Sequence, residues 1–178
     1  MSIELRDHSG IPIGYLVMAL GWDPIRRWFR ERDIDLNAAA LLFRGEQLTD
    51  VVYHEQLESR DGSVRHHGDS TTGEGKGDNE IITVDLATVP AEVSTVLFLV
   101  TCYSGHTFAA VRNAFWRMVD GGSDTEISRH QLSGVAATGL VMGTVVRADG
   151  GWKFRNINEG IPAQHPVEAA PYLRQYLG

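Results

Sequence analysis

Leu140-Val141-Met142-Gly143-Thr144-Val145-Val146, then the turn residues Asp149-Gly150-Gly151, then Trp152-Lys153-Phe154-Arg155-Asn156-Ile157, is the stretch that decides the fold. Two short runs of mostly apolar, β-branched or aromatic residues stand on either side of a hairpin-length gap whose residues tolerate a chain reversal. Outward from this hairpin the same pattern repeats. Ile13 to Leu20, Ala38 to Phe43, Val51 to Tyr53, Ile81 to Leu86, Val96 to Thr101 and Ala114 to Val119 all read as strands bounded by turn residues. Arg44-Gly45-Glu46 can turn the chain after Phe43, which predicts an antiparallel meander. Helix signals are local: Pro24 to Arg32, and Pro166 to Leu177 with Pro171 interrupting it. Because strands do not alternate with long amphipathic helices, a parallel α/β sheet loses to an all-β fold: an antiparallel two-sheet β-sandwich with short peripheral helices, one domain over residues 1–178.

The 178 residues suit one domain, and such a chain buries about two thirds of its unfolded surface. A formal charge of −7 argues against a nucleic-acid face, which needs an excess of Lys and Arg, and makes cations the expected charged partners. Cys102 is the only cysteine, so no internal disulfide can form and a reducing, cytoplasmic setting is expected. The start, MSIELRDHSG, lacks the basic and apolar regions of a secretion signal. Apolar runs such as Val96 to Val100 are far shorter than the roughly 20 residues a membrane-spanning helix needs.

One segment does not fit a core. His67 to Asn79, HGDSTTGEGKGDN, has four glycines and no large apolar residue, so it is a linker or a ligand loop. Calcium takes six to eight oxygens around a backbone able to curl tightly. Asp69 and Asp78 offer carboxylates, Glu80 a bidentate one, Ser70 and Thr72 hydroxyls, Asn79 an amide oxygen, and Gly73 with its neighbouring glycines lets carbonyls turn inward. The span from Asp69 to Glu80 has the length of an EF-hand loop, but Glu74 stands at its sixth position and no helices flank it. A phosphate cradle also fails, because G-E-G-K-G lacks the P-loop spacing and its acids repel phosphate. A second acidic segment, Asp33-Ile34-Asp35-Leu36-Asn37, alternates so that Asp35 and Asn37 point the same way.

Several ordered motifs together resemble the TerD family of tellurite-resistance and general-stress proteins, over nearly the whole chain. They are Leu20-Gly21-Trp22-Asp23 for the family's GLGWD, Asp35-Leu36-Asn37-Ala38 for DLDAS, and Gly68 to Glu80 for GDNxTGxGxGDDE. Val111-Arg112-Asn113-Ala114-Phe115 stands for VRNAF and Trp152-Lys153-Phe154-Arg155 for WKFRA. The resemblance implies a β-sandwich holding calcium at one end, in a bacterial cytoplasmic stress protein without catalytic residues. Asp35, Asn37, Asp69, Ser70, Asp78, Asn79 and Glu80 then occupy ligand positions. Asn37 and Asn79 stand where the family has Asp, and Ser70 where it has Asn. Each Asp-to-Asn change removes a full charge from the ion's surroundings, which predicts weaker binding or one site fewer. Asn156 and Asn158 replace small residues of the later motif.

His54, His66 and His67 form a candidate zinc set, although adjacent histidines on a strand face opposite ways. Cys102 near His106 could make a thiolate, but a buried free cysteine is the plainer expectation. Trp22, Trp116 and Trp152 read as packing residues. A metal-assisted hydrolase, or an interaction module that has lost calcium, stands as the alternative to a calcium-binding protein.

Overall fold

A computed structural model describes residues 2–23, 35–68 and 78–177. Eleven strands are present among them: β1 Ser2–Glu4, β2 Tyr15–Asp23, β3 Leu36–Arg44, β4 Gln47–Val52, β5 Val64–His66, β6 Glu80–Asp85, β7 Thr95–Cys102, β8 Arg112–Asp120, β9 Thr125–Gln131, β10 Gly139–Ala148 and β11 Gly151–Ile161. They form a six-stranded sheet in the order β1-β11-β10-β7-β3-β4 and a five-stranded sheet in the order β5-β6-β2-β8-β9. Every pairing is antiparallel.

Hairpins form where the turn residues predict them. Arg44 pairs with Gln47 and Ala148 with Gly151, with Gly45 at φ 60° and Gly150 at φ 72° supplying the left-handed step. The simple meander does not hold, because β7 is flanked by β3 and β10, and β2 by β6 and β8. Both central strands thereby bring distant segments together.

The main core lies between the sheets. Leu16, Met18, Leu20 and Trp22 of β2, with Ala114, Trp116 and Met118 of β8, meet Ala38, Ala40 and Leu42 of β3 and Val96, Phe98 and Val100 of β7. Residues of the other parity on the six-stranded sheet, Ala39, Leu41, Phe43, Leu97, Leu99 and Val141, pack outward under Ala169, Leu173 and Tyr176. Burial on both faces explains why β3 and β7 read as unbroken apolar runs, whereas the outer face of β8, with Phe115 and Arg117, is only partly covered.

The expected helix over Pro166 to Leu177 is broken up: α1 spans Pro166–Ala169, and 3₁₀ turns follow at Ala170–Tyr172 and Arg174–Tyr176. Pro171 lacks the N–H that a continuing helix requires. Arg155 pins the end by donating to the Tyr176 carbonyl. The expected helix at Pro24 to Arg32 falls on residues outside the described ones. A bulge opposes Ile157 and Asn158 of β11 to Met142 of β10. Asn158 takes φ 54° there, and its Oδ1 accepts from the Trp116 indole N–H at 2.9 Å. That contact accounts for an Asn where the family's motif has a small residue. Next to the bulge, a Cβ on Gly143 would lie 2.6 Å from the Arg155 carbonyl oxygen and 2.7 Å from Phe154.

Candidate metal centre

Asp69, Ser70, Thr72 and Gly73 lie outside the described residues. The remaining candidates, Asp35, Asn37, Asp78, Asn79 and Glu80, sit at the end of the sandwich where β3 and β6 begin and β2 ends.

Glu80 opens β6 opposite Leu20 and shares the inward parity of Ile82 and Val84, so its carboxylate enters the space between the sheets and is 1% exposed. Strand β4 has ended at Val52, opposite Ala40, and Glu80 serves the backbone just beyond: its Oε1 accepts from the Ala38 N–H at 3.0 Å. The same oxygen is 3.1 Å from His66 Nε2, both side chains being fully enclosed. His66 Nδ1 accepts from the Gly68 N–H at 3.1 Å, which puts the ring proton on Nε2, donating to Glu80. Beside it the His67 N–H donates to the Ile81 carbonyl at 2.9 Å. The two ends of the glycine-rich segment are therefore held together, and Glu80 fastens them to the strand that Asp35 precedes.

Asn79 is committed to the backbone of β2. Its N–H donates to the Leu20 carbonyl at 2.7 Å, and its Oδ1 accepts from the Trp22 N–H at 2.8 Å, where β2 bulges against β8. Asp78 meets a guanidinium fork: Arg117 Nε lies 3.1 Å from Oδ1 and Nη2 2.7 Å from Oδ2. The Asp78 hydrogen bonds raise the Arg117 pKa above its ordinary value, against the opposing pull of burial. At Asp35 the carbonyl accepts from the Tyr103 N–H at 2.9 Å, and the N–H donates to Ser104 Oγ at 3.4 Å.

Asn37 is placed differently. Leu36 and Ala38 on either side of it belong to the core between the sheets, so alternation turns Asn37 to the outer face, away from Glu80. It is 1% exposed, and neither its amide oxygen nor its nitrogen has a hydrogen-bond partner among the described residues. Thr101, its cross-strand neighbour on β7, also has a buried hydroxyl without a partner among them.

His66 and Arg117 are the residues that sequence reasoning did not connect to the acidic segment. In Val64-Arg65-His66 the alternation places His66 inward with Val64, which was the available signal; nothing local marks Arg117. The histidine set separates: His66 turns to Glu80, His67 Nε2 to Thr83 Oγ1 at 2.8 Å, and His54 lies beside Glu55 and His165. Cys102 is buried, and its thiol pKa is raised chiefly by that burial. Ser104 Oγ lies between it and His106, 3.6 Å from the sulfur and 2.8 Å from Nδ1. Trp22, Trp116 and Trp152 are all buried in the main core.

A family model described as the TerD domain matches residues 2–165. The chain is 37% identical over 157 residues to tellurium resistance protein TerD of Serratia marcescens, covering 82% of this chain and 80% of that one. Identity to stress response protein SCP2 of Bacillus subtilis (strain 168) is 33% over 163 residues, 82% of each. The crystal structure of a homologue of telluride resistance protein (TerD) from Streptomyces coelicolor A3(2) superposes with a TM-score of 0.78 at 25% identity, over 89% of this chain and 95% of that one.

Proposed function

The chain belongs to the TerD family, and on that premise we propose that it is a non-catalytic, calcium-binding protein of the bacterial stress response, of the tellurium-resistance type, working in the cytoplasm. The observation that carries the calcium reading is the Glu80 linkage. One buried carboxylate joins both ends of the glycine-rich acidic segment, through His66 and β6, to the Ala38 N–H three residues past Asp35. Oxygen donors from two distant parts of the sequence thus share one end of the fold. The donor set is carboxylate, hydroxyl and amide oxygen, which suits a hard cation and not a soft one. Asp35, Asp69, Ser70, Thr72, Asp78, Asn79 and Glu80 would hold the ion, with backbone carbonyls near Gly73. Bound calcium supplies the positive charge that draws these carboxylates together, and Asn37, on the outer face, takes no part.

Ligands that meet only in the folded chain make calcium a stabiliser. At a hundredfold excess over Kd the linkage is about 2.7 kcal/mol, which for a domain of this size raises Tm by roughly 5–10 °C. Melting curves in chelator and in millimolar calcium test this. Asp69→Ala should abolish the shift, and an unchanged Tm in the parent overturns the reading.

A second reading, an interaction module that no longer needs calcium, is favoured by one observation. Asp78 and Asn79 are already paired, with Arg117 and with the Trp22 N–H. Arg117→Met separates the two. If Arg117 competes with calcium for Asp78, the variant binds calcium more tightly than the parent in calorimetry. If Arg117 replaces calcium, the variant only melts lower.

A further inference from the structure

We propose that His54, Glu55 and His165 form a second, chemically distinct metal site, one that takes a borderline divalent ion of the zinc type. The three residues come from two separate parts of the chain. His54 and Glu55 follow the end of β4, and His165 caps α1 more than a hundred positions later. One ligand atom from each lies within 4.8 Å of the others.

The imidazoles are held in place by packing. Tyr53, His54, Tyr103 and His165 make a cluster of rings, with centroids 5.2 Å apart for Tyr53 and His54, 5.5 Å for Tyr53 and His165, 5.6 Å for His54 and Tyr103, and 6.1 Å for His54 and His165. Tyr53 packs against the outer cluster of the six-stranded sheet, so this group lies on the opposite face of that sheet from Glu80.

The polar bonding inside the cluster is incomplete in the way a ligand site requires. His54 is 17% exposed; its Nδ1 is buried without a hydrogen-bond partner among the described residues, and its Nε2 stands 3.7 Å from Glu55 Oε1, beyond hydrogen-bond length. A half-buried imidazole with neither nitrogen hydrogen-bonded among the described residues has ligand capacity to spare. Glu55 is oriented from behind, because the Tyr53 hydroxyl donates to its Oε2 at 3.1 Å and leaves Oε1 turned to His54. Such outer hydrogen bonds to a ligating carboxylate characterise metal sites.

Two imidazole nitrogens and one carboxylate oxygen are the donors of a zinc-type ion with a fourth position left for water. Calcium prefers oxygen alone, so the two proposed sites differ in softness as well as in place. Tetrahedral zinc with bonds of about 2.1 Å sets its donors about 3.4 Å apart. His54 Nε2 and Glu55 Oε1, 3.7 Å apart, already stand close to that spacing. His165 Nδ1 accepts from the Val167 N–H at 3.1 Å, so its Nε2 carries the proton in the metal-free state. Coordination by Nε2 would displace that proton to Nδ1, which could then no longer accept from the Val167 N–H.

The test is zinc titration of the metal-free full-length chain, in millimolar calcium, against a chromophoric chelator. One zinc per chain is expected, with His165→Gln, Glu55→Gln and His54→Ala each weakening it tenfold or more. His8→Ala, at an exposed site, should leave it unchanged. Zinc should also shift the Val167 amide resonance in the parent and not in His165→Gln. His165→Gln and Glu55→Gln change partly exposed side chains, so they keep the test decisive should His54→Ala fail to fold. Calcium affinity unaltered in His165→Gln separates failure here from failure of the calcium reading. No zinc bound by the parent at 100-fold below millimolar calcium, or equal binding by parent and His165→Gln, overturns the proposal.

Discussion

Replacing Glu80 tests whether one buried carboxylate joins the two sheets at the loop end. In Glu80→Ala the Ala38 N–H and the His66 Nε2–H both lose the oxygen they donate to, in surroundings where Glu80 is 1% exposed and His66 2% exposed. Each buried donor left unpaired costs about 1–3 kcal/mol. The one methylene lost, Cγ, adds about 0.8 kcal/mol. The sum is about 3–7 kcal/mol, comparable with the whole stability of a typical domain. Glu80→Gln keeps the shape and one acceptor oxygen but turns two charge-assisted bonds into neutral ones, at about 1 kcal/mol each, or about 2 kcal/mol together. Urea unfolding in the presence of chelator measures both without any contribution from bound metal, and an unchanged m-value confirms that the same unfolding is being compared. A loss below about 1 kcal/mol in Glu80→Ala, or equal losses in the two variants, would refute the bridging role.

Asn37→Asp, which restores the family's residue, should destabilise the chain by about 3 kcal/mol or more without tightening calcium, because it buries a charge on the outer face; Asn37→Val should be neutral or stabilising, and urea titration with calcium calorimetry checks both. Asn158→Ala should cost about 1–2 kcal/mol in chemical unfolding by removing the bond to Trp116 and straining the φ 54° position, while Asn158→Gly loses the bond alone. Tyr176, whose hydroxyl donates to Glu159 at 2.7 Å, has its pKa pushed up to about 12 by burial and by that carboxylate. A raised folded-state value means stability that is complete below pH 10 and is lost as pH climbs toward 12. Tyrosinate absorbance alongside unfolding curves should show that loss, and Tyr176→Phe should flatten it.

The sandwich was legible because its strands carry their own signals: apolar runs at β3, β7 and β10, with Gly45 and Gly150 at the reversals. The strands that sequence reasoning missed are those whose signals are weak. β9, Thr-Glu-Ile-Ser-Arg-His-Gln, is a polar edge strand with a single apolar contact, Ile127, in the core, and β1 and β5 are three residues long. At the candidate site, composition identified the acidic segment and the motif order pointed to Asp35, but neither reveals pairing across the fold. That Glu80 answers Ala38 and His66, and Asp78 answers Arg117, follows from which strands neighbour one another, and topology of that kind is absent from local pattern. Asn37 shows the converse. Motif order placed it among the ligands, while the inward parity of Leu36 and Ala38 sends it to the other face.

The outer cluster has a consequence for solubility. The family model ends at residue 165, yet Ala169, Leu173 and Tyr176 cover Ala39, Leu41, Leu97, Leu99 and Val141. A chain trimmed to the family boundary would turn the middle of its six-stranded sheet into an open aliphatic surface of the kind that drives self-association. The last dozen residues therefore act as a built-in shield: they contribute no motif, and they keep a sheet that is apolar on both sides from meeting its own kind.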